Sequence, residues 1–222
     1  MKACKYPCSV IDDSQFEQAR QALEARSKEL KKDGKGNKPK TAQAITDEEV
    51  NILYDKQLLG ISKTEALLNT MWFINTKHFG LRGCDEHRRM KWGDVPLLTD
   101  VNGAEYLEFS ESQTKTRTGS EPRNVRAAKP KAYSFANGSP HRDPVFGYKV
   151  SSEKRPSSMT DFDSPFHLGI NHTKNPTEKS WFKASAMGVN KLNSLLKTMA
   201  DKAGFDEKPR LANHTLLYCI DN

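Results

Sequence analysis

This sequence of 222 residues lacks several features that would place it in a well-known class. There is no apolar segment near the N-terminus of the kind a secretory signal needs, and no apolar run approaches the length of a membrane span. Cysteine is scarce, with only Cys4, Cys8, Cys84 and Cys219. Without an export signal these four read as reduced thiols of an intracellular protein rather than as a disulfide framework. Cys4 and Cys8 resemble half of a zinc site, but no second pair stands nearby, so no metal and no cofactor are expected. Internal repeats are absent. Hydrophobic residues are few, at 36%, which points to a modest core with long polar surface segments. The length still suffices for one good-sized domain or two small ones.

What the chain does have is positive charge. Its formal net charge is +7, and the excess is concentrated. Between Glu111 and Arg155 stand ten cations: Lys115, Arg117, Arg123, Arg126, Lys129, Lys131, Arg142, Lys149, Lys154 and Arg155. Four acids oppose them, Glu111, Glu121, Asp143 and Glu153. Such a stripe is the electrostatic footprint of a partner that binds the phosphate backbone of nucleic acid. The plainer alternative is a solvated loop.

Periodicity predicts a helix over 13–32, with Phe16, Ala19, Leu23 and Leu30 on one face. A linker rich in glycine, lysine and proline follows at 33–40. Thr46-Asp47-Glu48-Glu49 and Ser62-Lys63-Thr64-Glu65 both read as capping boxes that open helices. The second of these helices carries Leu67, Leu68, Met71, Trp72, Phe73 and Ile74. It is apolar nearly all round and is expected to be the central buried helix, stopped at Gly80. Val95–Leu98 and Tyr106–Phe109 flank an Asn102-Gly103 turn and predict a hairpin. A third strand is expected through 124–127, and 134–180 reads as one long irregular segment. Helix returns over 188–203, with Val189, Leu192, Leu195, Leu196 and Met199 on its core face and Gly204 past its end. The fold class is α+β, mainly helical, with a small antiparallel sheet.

The stretch Gly80-Leu81-Arg82-Gly83-Cys84-Asp85-Glu86-His87-Arg88-Arg89-Met90-Lys91-Trp92-Gly93-Asp94-Val95 holds the most specific pattern. An arginine just past a helix-ending glycine is followed four positions on by an acid, then by a tryptophan and an acidic turn. In this frame the chain resembles the tyrosine recombinases, the lambda-integrase-like DNA strand-transferases. It resembles more closely the recombinase-derived domain of crypton transposons, also found near the C-terminus of MYM-type zinc-finger and glutamine-rich nuclear proteins. That likeness is carried by Ala44–Glu49, His78–Arg82, Glu86-His87-Arg88, Thr114-Lys115-Thr116 and Asp143–Phe146. Further on it is carried by Lys154-Arg155-Pro156, Phe166-His167-Leu168, Trp181-Phe182, Gly188–Leu192 and Asn213-His214-Thr215.

The resemblance implies a recombinase-like domain over 46–215, a remnant of a core-binding domain over 1–45 and a non-matching tail over 216–222. It implies that Arg82 clamps a phosphate, that Lys115 would protonate a leaving oxygen and that His214 would assist proton transfer. Glu86 would orient neighbouring structure. Arg117, Arg123, Arg126, Lys129 and Lys131 would contact the DNA backbone. Two parts of the family's chemistry are not matched. Leu217 stands where a second arginine is expected, and no tyrosine follows on a later helix. Tyr218, one helical turn past His214 on the same segment, is no substitute. The expectation is therefore a nuclear DNA-binding relic without strand-transfer activity, its tail the product of a premature stop, a frameshift or an unspliced intron. A truncated copy of an active recombinase and a nuclear protein-interaction module are the alternatives. Low stability or self-association is expected as well, because the helices that should follow His214 are missing.

Overall fold

The computed structural model describes residues 9–35, 45–81, 83–110, 129–136, 138–173 and 179–205. The chain divides into two units, 1–41 and 42–222. The first contains α1 (Glu17–Lys32), entered through a 3-10 turn at Ser14–Phe16. Arg20 ties the entry down, donating to the carbonyls of Val10 and Asp13 at 3.1 and 2.9 Å. No residue of α1 is buried, and Leu23 on its apolar stripe is exposed.

In the second unit the capping box at Thr46 forms and opens α2 (Asp47–Asp55). Glu49 N donates to Thr46 Oγ1 at 3.3 Å, and Thr46 N donates back to Glu49 Oε2 at 2.9 Å. The expected box at Ser62 does not form. α3 (Thr64–Phe79) has Lys63 at its N-cap, with no side-chain hydrogen bond. Glu65 is then the second helical residue rather than the third, one position too early to reach back. α3 is the central helix as expected, with eleven of its sixteen residues buried. Gly80 ends it in the left-handed conformation, φ 70°, donating to Thr76 O at 3.1 Å. A residue with a Cβ would be strained there.

The short α4 (Cys84–Arg89) and a 3-10 turn at Trp92–Asp94 lead into the predicted hairpin. β1 (Leu97–Thr99) pairs antiparallel with β2 (Glu105–Glu108), Leu97 opposite Leu107. The third strand is β3 (Lys131–Tyr133), with Ala132 opposite Leu107. The strand expected at 124–127 lies outside the described residues.

The reading of 134–180 as irregular is corrected by α5 (Pro144–Lys154). Asp143 caps this helix, accepting from Phe146 N at 2.9 Å, and proline takes its first position. The helix escaped periodicity because its buried face, Pro144, Val145, Gly147, Tyr148 and Ser151, includes proline, glycine and serine, while Phe146 on the other side is exposed. Gly147 sits close to α3, where a Cβ would lie 3.4 Å from Met71 Sδ. A second hairpin follows, β4 (Leu168–Ile170) with β5 (Phe182–Ala186). α6 (Val189–Ala203) buries Leu192, Leu195, Leu196 and Met199, and Gly204 ends it at φ 71°. Val189 is exposed rather than in the core. Among the described residues the architecture is thus a helical domain around α3 with two small antiparallel sheets, of three and two strands.

Candidate nucleic-acid interface

Six of the eight residues that the sequence nominates, Arg82, Lys115, Arg117, Arg123, Arg126 and His214, lie outside the described residues. Their flanks are described. The ring of Phe79, in the last turn of α3, stacks on Phe109 with centroids 5.3 Å apart and planes 16° from parallel. Phe79 precedes Arg82 by three residues, and Phe109 precedes Lys115 by six. Phe109 N donates to Pro130 O at 3.0 Å, and Ser110 N to Asp94 O at 2.8 Å. The chain therefore leaves for 111–128 and returns from it at the end of the domain where α3 finishes.

Lys202 pairs with Glu65, in the first turn of α3, at 3.5 Å, and Lys56 Nζ donates to Ala203 O at 2.7 Å. Phe205 thus lies near the start of α3, a helix roughly 24 Å long at 1.5 Å per residue. A groove of about 390 Å³ opens at this far end, with Lys56, Lys63 and Lys202 on its wall. Two of these lysines already serve Ala203 O and Glu65.

The described cations of the basic stripe are also engaged. Lys129 and Lys131 share Glu108 at 3.0 and 3.9 Å, and Lys131 lies over the Tyr106 ring at 4.5 Å. Lys149 pairs with Glu105 at 2.6 Å. Arg142 donates to Asn51 Oδ1 at 2.6 Å and covers the Tyr54 ring. Lys154 lies over Trp181 at 5.1 Å. Exposed pairs of this kind stabilise little and exchange readily for other anions.

Arg155 differs from the others. Counted with the surface stripe on sequence, it is only 5% exposed. Its three guanidinium nitrogens donate to the carbonyls of Met159, Phe166 and Pro165 at 2.9, 2.7 and 2.6 Å. The guanidinium lies 4.1 Å from the centroid of Trp92, a ring that also stacks on Tyr148 at 4.6 Å and meets Phe166 at 5.4 Å. Among the described residues no carboxylate pairs with it. Burial lowers its pKa to about 10, against a small opposing effect of Tyr148.

Beside Arg155 lies a polar chain that the sequence reading missed. Phe166 N donates to Met90 O at 2.9 Å and Trp92 N to Ser164 O at 2.7 Å, which lays the segment before β4 along the exit of α4. His167 Nε2 then comes 3.1 Å from His87 Nδ1, and His87 Nε2 lies 3.0 Å from Thr76 Oγ1 on α3. The proton order follows from counting donors. Thr76 Oγ1 gives its hydrogen to Trp72 O at 2.9 Å, so it accepts from His87 Nε2–H. His87 Nδ1 is then bare and accepts from His167 Nε2–H. Both rings are neutral. Burial, and then the neighbouring His167, hold the His87 pKa well below the ordinary value. Burial, and then Arg155, push that of His167 down to about 3. Asn75 borders the cluster without joining the chain: its Nδ2, a donor like His167 Nε2–H, lies 3.5 Å from that nitrogen and 3.5 Å from Met90 Sδ, and its Oδ1 has no partner among the described residues. The one visible signal was Phe166-His167-Leu168, a histidine between two apolar residues; Glu86-His87-Arg88 and Lys154-Arg155-Pro156 read as charged surface. Spacing alone could not show that three such blocks meet.

Among the described residues no cluster of three metal-ligating side chains occurs, and no helix is long and apolar enough to cross a membrane. The fold and its flanking anchors define an α+β domain with a buried histidine–arginine centre and a basic segment hung between two strands. The chain belongs to the family described as "Domain of unknown function (DUF3504)", whose sequence model matches residues 44–201. Over 161 residues it is 25% identical to the human "Uncharacterized protein KIAA1958", covering 72% of this chain and 22% of that protein. It is likewise 25% identical to human "Zinc finger MYM-type protein 2", over 67% of this chain and 12% of that protein. "Zinc finger MYM-type protein 3" from human matches at 26% over 65% of this chain and 11% of its own length. The chain spans less than a quarter of each of these relatives, so it corresponds to one domain of much longer proteins.

Proposed function

We propose that residues 46–215 form a nucleic-acid-binding domain of tyrosine-recombinase-like, crypton-derived ancestry that grips the phosphate backbone and works in the nucleus. The observation that carries this reading is the Phe79–Phe109 stack. It brings the approach to Arg82 and the approach to the basic segment 111–128 to one end of the domain. Arg82, Lys115, Arg117, Arg123 and Arg126 then act on one polyanion, with Lys129 and Lys131 at the base of the segment. Their Glu108 pairs exchange for phosphate because they are exposed and weak. Kinship with MYM-type zinc-finger proteins supports a nuclear setting.

Strand transfer is not part of the proposal. Two guanidinium forks on the reacting phosphate would be needed, and position 217 is leucine. Losing one such donor typically costs about 10²–10³ in rate. The test is binding to duplex DNA between about 50 and 200 mM salt. The expected result is affinity that falls steeply, with a slope that shrinks when Arg117, Arg123 and Arg126 are reversed to glutamate. A flat profile, unmoved by those reversals, would refute the proposal.

A second reading, a nuclear protein-interaction module, is favoured by one observation: every described cation of the stripe already has a partner on its own chain. Binding that ignores salt and charge reversal would favour this module.

A further inference from the structure

α3 and α4 are separated by only four residues, 80–83, and Arg82 is one of them. α4 has six residues, too few to persist as a helix unless something else in the fold holds it. It packs against α6, and on its α3 side the hold is centred on Thr76. The carbonyl of Thr76 accepts the Gly80 amide at 3.1 Å, which fixes the point where the chain leaves α3. Its hydroxyl accepts from His87 Nε2 at 3.0 Å, which fixes α4 one turn past the point where the chain re-enters helix. His87 also stacks on Trp72, one turn earlier on α3, with centroids 5.4 Å apart. On its other nitrogen it meets His167. One α3 residue thus anchors both sides of the junction, and His87 is the only described side chain of α4 that is buried.

We infer that His87 is a positioning residue: through Thr76 it sets the α3–α4 junction, and the phosphate contact of Arg82 depends on it. This rests on the reading of Arg82 as a phosphate-binding group. The two ring nitrogens of His87 have separable duties. Nε2 reaches α3 and would set the junction, whereas Nδ1 reaches His167 and serves the core.

That separation supplies the experiment, in the full chain with a short duplex DNA as probe. Glutamine reaches about as far as Nε2 and asparagine only about as far as Nδ1. Arg82→Ala is expected to weaken binding roughly 10- to 100-fold, the range of hydrogen bonds to charged groups, and to reduce the salt slope by about one. His87→Asn is expected to lose the same factor, and His87→Asn with Arg82→Ala to lose no more than either alone. His87→Gln is expected to bind nearly as the wild type does. If His87→Asn does not melt cooperatively, Thr76→Val replaces it, since it removes the hydroxyl and leaves the helix carbonyl.

Losses that multiply between positions 82 and 87, or a His87→Asn protein that binds normally, would overturn the positioning role and leave the phosphate reading standing. A wild-type profile flat with salt would remove both together.

Discussion

Lys129 and Lys131 are two cations on the edge of a sheet, and Arg155 is a third about twenty-five residues further on; the same stretch of sequence supplies all three. The lysines keep their ammonium groups in water and share a single carboxylate, Glu108. Arg155 is buried, gives its nitrogens to three carbonyls and lies on a tryptophan face. The contrast teaches that local charge density does not separate cations available to a partner from cations spent on the fold. A guanidinium can be buried without an acid because its planar fork satisfies several carbonyls at once. An ammonium cannot do so as readily, and both lysines stay at the surface.

The comparison is most easily broken at Arg155. Arg155→Ala strands three carbonyls around a cavity beside Trp92, and a loss of roughly 3–5 kcal/mol is expected, since each unsatisfied buried group costs about 1–3 kcal/mol. A denaturant midpoint measured with unchanged slope checks this. A shift as small as that of a surface lysine would mean that Arg155 is not buried in solution.

Acid comes next. His87 and His167 have pKa values below the unfolded value of about 6.5. The unfolded chain therefore binds protons first as pH falls. The histidine contribution is complete above about pH 6.5 and is lost progressively below it, toward the folded value of about 3 for His167. The slope approaches roughly 1.4 kcal/mol per pH unit for each histidine. Melting temperature measured from pH 7 to pH 4.5 should fall, and a His87→Gln protein should show a shallower fall.

Gly80→Ala is a smaller perturbation. It forces a Cβ into φ 70° and is expected to cost about 1–2 kcal/mol, read as a lowered melting temperature. Smallest of all, Lys129→Ala should change stability by under about 1 kcal/mol. Its effect on DNA affinity should be seen only at low salt, where its phosphate contact counts most.

Much of the fold was legible in the sequence because the features concerned are local. The Thr46 capping box, the left-handed glycines at 80 and 204 and the Asn102-Gly103 hairpin each depend on a few adjacent residues. α3 was legible from its apolar content and α6 from its period. α5 was not, because its one buried face is built largely of proline, glycine and serine and so carries no apolar period, although Asp143-Pro144 did mark its start. The box at Ser62 failed by one residue, since a cap depends on where the chain turns and not only on which residues are present. Of the candidate site, the sequence supplied Arg82 and the basic segment. It missed His87, His167 and Arg155, whose roles depend on the residues they meet across the fold.

The sequence by itself determined that the chain is basic, that its charge gathers between 111 and 155, and where its main helices and first hairpin run. These are set by composition and short-range spacing. Only the tertiary structure decided which polar side chains are enclosed. His87 and His167 are eighty residues apart and meet because the strand pairing of β4 and the exit of α4 converge on α3. Whether an imidazole or a guanidinium faces water or carbonyls is fixed by that convergence, and no window of sequence contains it.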